Sequence, residues 1–64
     1  MDEAKFKEVV DNDWMLNYFG HLYRVFRENG QFDQWAKEYG VDYVVGLIVD
    51  ATHLEYEKHT KGSV

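Results

Sequence analysis

Asp50, His53 and Glu57 stand at i, i+3 and i+7, a spacing that brings three side chains to one side of a helix. A carboxylate three residues from a histidine is also how helical bundles present ligands to a divalent ion. A metal centre, however, needs three or four donors and a supporting shell around them, which here would require a second, two-fold related copy. A solvated polar strip has the same spacing, and that is the reading adopted: no metal and no cofactor are expected. His21 lies beside Asn17 and Arg24 on a polar strip, as a solvated ring would. His59 falls in a polar C-terminal stretch. Arg24 and Arg27 are expected to pair with the chain's own acids, in surface contacts worth under about 1 kcal/mol each.

Cysteine is absent, so thiol nucleophiles, disulfides and thiolate zinc sites are excluded. There is no glycine-rich phosphate loop, zincin motif or nucleophile elbow. An enzyme is not expected. The net charge of −5 is unevenly placed. Residues 1–13 carry two lysines against five acids, and residues 41–64 two lysines against four acids. No basic patch exists to release counterions from a phosphate backbone, so no direct nucleic-acid contact is expected. Residues 32–49, with Gly40-Val41 opening a second helix, imitate the spacing of a helix-turn-helix. A reading helix exposes Arg, Lys, Asn or Gln near its start; here those positions hold Asp42, Tyr43 and Gly46, so a nucleic-acid binder is only an alternative.

The elements that carry these residues follow from apolar periodicity. On a helical wheel, Trp14, Val25, Tyr18, Leu22, Met15, Phe26, Phe19, Tyr23 and Leu16 occupy one arc of about 200°. A surface helix needs a stripe only a little over 100° wide, so residues 13–28 predict a central helix covered from two directions. Before it, residues 2–11 read as a short helix capped by Asp2, with Phe6, Val9 and Val10 as its stripe. Asp11, Asn12 and Asp13 form a break of capping residues, although a continuous helix is also compatible. Asn29-Gly30 ends the central helix. Phe32, Trp35, Ala36 and Tyr39 then mark a one-sided helix over 31–39. Gly40 terminates it, with Val41 expected to close the turn by an apolar contact.

Residues 42–58 predict the last helix, capped by Asp42 and followed by a polar tail over 59–64. Its polar strip (Asp42, Gly46, Asp50, His53, Glu57) spans only about 80°. The β-branched run over 43–49 offers a strand as the alternative, but no Asn-Gly or Asp-Gly turn stands near Asp50-Ala51 to make a hairpin. Gly20 and Gly46, inside helices, suggest close helix approach. The whole is an all-α domain of three or four helices, with no segment long and apolar enough for a membrane span and no apolar signal region at the start. A soluble, cytoplasmic protein is expected.

A core built from 64 residues is small, and chains of this size usually need a staple; without disulfides, good helix packing or a second subunit must supply it. Two helices with apolar arcs near 200° exceed what two short helices cover. The expected outlet for the surplus is a homodimer. Tyr43, Val44, Leu47, Ile48 and Leu54 are the expected contacts, with Trp14 and Trp35 as aromatic anchors. The function expected is protein–protein interaction, as an accessory, adaptor or inhibitory subunit. The alternative is an acidic mimic of DNA that inhibits a basic nucleic-acid-binding protein; salt-sensitive binding would mark it.

Overall fold

The computed structural model describes residues 2–61, which form four α-helices: α1 (Glu3–Asp11), α2 (Asp13–Glu28), α3 (Gln31–Tyr39) and α4 (Val41–Lys61). No strand occurs among the described residues. The β-branched run over 43–49 is helical, because Val44, Ile48 and Val49 all find buried positions on one side of α4. Tertiary burial outweighs the modest strand preference of these residues.

Single residues make two of the three links. Asp2 caps α1, its Oδ1 accepting from the amides of Ala4 at 3.0 Å and Lys5 at 3.3 Å. Asn12 separates α1 from α2 with an extended backbone, which rules out a continuous helix. Its own amide donates to the Val9 carbonyl at 3.3 Å, while its Oδ1 accepts from the Met15 amide at 3.0 Å. One side chain and one peptide thus satisfy groups at two helix ends. Gly30 adopts φ 80°, the left-handed conformation at which glycine carries no Cβ penalty. Asn29 reaches across it to accept from the Gln31 amide at 2.8 Å.

Gly40, at φ 93° and ψ 154°, turns the chain so sharply that α4 begins at the next residue. Its carbonyl accepts from the Val44 amide at 3.3 Å. Asp42 is therefore not the cap; it lies in the first turn of α4, where a carboxylate suits the helix dipole. Val41 opens α4 and is 56% exposed. At its other end α4 runs three residues beyond Lys58, to Lys61. Part of the expected tail is thus helical, and residues 62–64 of that tail lie outside the described residues.

The two long helices, α2 and α4, pack together, and α1 and α3 each touch both of them without meeting one another. Two core clusters result. Val9, Met15 and Val49 are packed by Phe6, Trp14 and Tyr56 at one end. Phe32, Val44 and Ile48 are packed by Leu22, Phe26, Trp35 and Ala36 at the other. Phe19 and Val45 belong to both and join them. Thr52 is wholly buried, but its hydroxyl donates to the Ile48 carbonyl at 2.8 Å and leaves nothing unsatisfied. The arc of α2 narrows as covered: Leu16, Tyr23 and Val25, toward its two edges, stay more than a third exposed. The molecule measures 40 × 24 × 16 Å. Helices are about 10–12 Å across with side chains, so the bundle is two layers thick and each long helix keeps an open side.

Candidate interaction surface

The open side of α4 carries Tyr43, Leu47 and Leu54, which are 52%, 38% and 55% exposed. Spacings of four and seven residues put them on one straight strip about 16 Å long. Tyr39, at the end of α3, extends the strip through ring contact with Tyr43 at 5.0 Å. The strip has a dip at each end. The first, about 290 Å³, lies against α1 and is lined by Tyr43, Gly46 and Leu47 with Asp2, Asp42, Asp50 and Lys5 around them. The second is lined by Leu54, Glu57, Lys58 and Lys61.

Of the contacts expected from the sequence, Tyr43, Leu47 and Leu54 lie on this face. Val44 and Ile48 do not: they are 0% and 1% exposed and belong to the core. They sit about 60° and 100° round the helix from Leu47, where α2 and α3 close over them. Trp14 and Trp35 are half-buried, and their ring partners lie elsewhere. Trp14 stacks with Tyr18 at 5.4 Å and His59 at 4.8 Å. Trp35 meets Phe26 edge-on at 5.7 Å.

The polar strip of α4 is only partly a solvent strip, because α1 lies along it. Asp50 faces the Lys5 ammonium at 3.7 Å. With its proton on Nε2, His53 donates to the Lys5 carbonyl at 3.1 Å, and its Nδ1 lies 3.8 Å from the Glu8 carboxylate. Among the described residues no three acids or histidines converge as metal ligands. Lys5 and Glu8 were not legible as partners, since nothing in one chain's periodicity says which side of α4 receives α1.

Three further expectations change. His59 is helical and packed on Trp14 rather than lying in a tail. Among the described residues Arg24 and Arg27 form no ion pair; Arg27 instead lies 5.8 and 5.6 Å from the ring centres of Tyr23 and Phe32, a cation–π arrangement. A Cβ on Gly20 would meet open space, so no helix approaches closely there. His21 is exposed on the outer side of α2, in a shallow dip with Leu16, Asn17 and Arg24.

α3 and α4 are joined through the single residue Gly40, with Asp42 and Tyr43 exposed at the start of α4. No described helix is long and apolar enough to cross a membrane. No family model, curated protein or solved structure matches the chain.

Proposed function

We propose that this chain acts as a protein–protein interaction module whose first contact is with a second copy of itself. The observation that carries the reading is the outer strip of α4. Tyr43, Leu47 and Leu54 remain exposed on a helix whose other side is buried by all three of its neighbours. Apolar side chains lined up over several turns cost solvation free energy when left in water, roughly 25 cal/mol per Å². The interior available to offset that cost is small: six apolar residues are buried among those described. Covering the strip adds apolar burial just where the monomer lacks it. Leu and Tyr there suit the dry middle of an interface. An adaptor or inhibitory role would then be exercised through the remaining acidic surface.

Light scattering over a concentration series tests this. A mass approaching twice the 7.6 kDa chain mass is expected, and Leu54→Asp should return the monomer with unchanged helicity. A wild-type chain that stays monomeric at millimolar concentration would overturn self-association.

A further inference from the structure

We infer that two copies pair through α4 in antiparallel orientation, each copy's Leu54 end seating against the other's Tyr43–Leu47 dip; the inference rests on the self-association proposed above. Charge decides the orientation. Around the Tyr43–Leu47 dip stand Asp2 and Asp42, besides Asp50, which pairs with Lys5 at 3.7 Å. Around Leu54 stand Lys58 and Lys61, opposed by Glu57, with Lys58 also 3.6 Å from Glu55. The strip is therefore acidic at its N-terminal end, while at its C-terminal end the two lysines are balanced by Glu55 and Glu57. Parallel pairing would set the two acidic ends against each other, whereas antiparallel pairing sets each acidic end beside the lysines of the other copy's balanced end. It also opposes the two helix dipoles.

The apolar residues fit the same operation. A two-fold axis passing between Asp50 and Ala51 places Leu47 opposite Leu54 of the second copy, and Tyr43 opposite its Lys58. An isologous contact of this kind closes on itself as a dimer. Asp50 then stands beside the axis with its charge already met by its own Lys5 at 3.7 Å. Ala51, half-buried and small, lets the two helices approach at the centre.

Distances between spin labels read the orientation directly. The chain has no cysteine, so Glu57→Cys and Lys61→Cys, labelled separately, each place one probe per chain on an exposed position of α4. In an antiparallel pair the label–label distance should be about 12 Å longer at position 61 than at position 57, because each residue moves both labels 1.5 Å further from the axis. Equal distances at the two positions mean parallel pairing and overturn this inference while leaving the dimer intact. No intermolecular distance at either position, with the unlabelled chain also monomeric by light scattering, overturns the dimer as well. Asp42→Lys provides the electrostatic arm: roughly tenfold weaker dimerisation is expected, restored on mixing with a Lys58→Asp/Lys61→Asp chain. A dimer indifferent to Asp42→Lys would remove the charge argument.

Discussion

The imidazole of His59 lies flat on the indole of Trp14, ring centres 4.8 Å apart and planes 15° from parallel. The contact exists because α4 continues to Lys61, and it ties the last turn of α4 to the first turn of α2. Replacing His59 by Ala should uncover the indole and cost about 0.5 kcal/mol, the low end for a ring pair, since His59 is exposed. In a Trp35→Phe background only Trp14 reports, and its emission should move to the red. Unchanged emission would mean the ring is covered by Tyr18 and Tyr56 alone.

Ile48 and Leu54 belong to one helix but to different environments. Ile48 is 1% exposed and Leu54 55%. Ile48→Ala should cost about 2–5 kcal/mol in urea unfolding, as loss of buried methyl groups does. Leu54→Ala should stay within about 0.5 kcal/mol when measured at a concentration where the chain is monomeric. Equal losses would place Leu54 inside the monomer's core.

Gly30 and Gly40 separate two kinds of turn. Gly30 sits at φ 80°, ψ −2°, a region that asparagine tolerates. Gly40 sits at φ 93°, ψ 154°, where side chains of L-residues are strained by about 1–3 kcal/mol. A Cβ at either position meets open space, so backbone conformation alone sets the difference. Gly30→Asn should therefore unfold near the wild-type midpoint and Gly40→Asn well below it. Coincident midpoints would contradict the Gly40 geometry.

The helix α1 is held by α2 and α4 and has no contact with α3, and Val9 is its single fully buried side chain. Val9→Ala should cost about 1–3 kcal/mol. Amide exchange over residues 3–11 should rise more than over 31–39, because α1 can open while α3 stays in place. A uniform rise would show that the four helices open as one unit.

The helix ends were legible in the sequence wherever local chemistry decides them. Asp2, Asn12 and Gly30 each act on amides or dihedrals within a few residues, and Asn12 and Gly30 stand where the sequence places the breaks. Asp42 misled because a capping side chain was weighed without the backbone turn at Gly40, which starts the helix one residue sooner. The wheel correctly grouped the apolar residues of α4, but it is blind to neighbours. Val44 and Ile48 look as available as Leu47 until α2 and α3 are in place. The same blindness hid the seam of Lys5 and Glu8 with Asp50 and His53. Arg27 illustrates a third limit: with acids abundant in the chain, its guanidinium nevertheless lies on aromatic rings.

The single-residue joint at Asn12 leaves the bundle without slack, so helix orientation behaves like the phase of a gear. One residue added to a helix next to such a joint advances its face by about 100°. An alanine inserted within the last turn of α1 would swing Phe6 and Val9 off the core and carry Lys5 and Glu8 away from Asp50 and His53. A substitution there leaves the phase of both helices intact, whereas an insertion shifts every contact on one side of the joint at once.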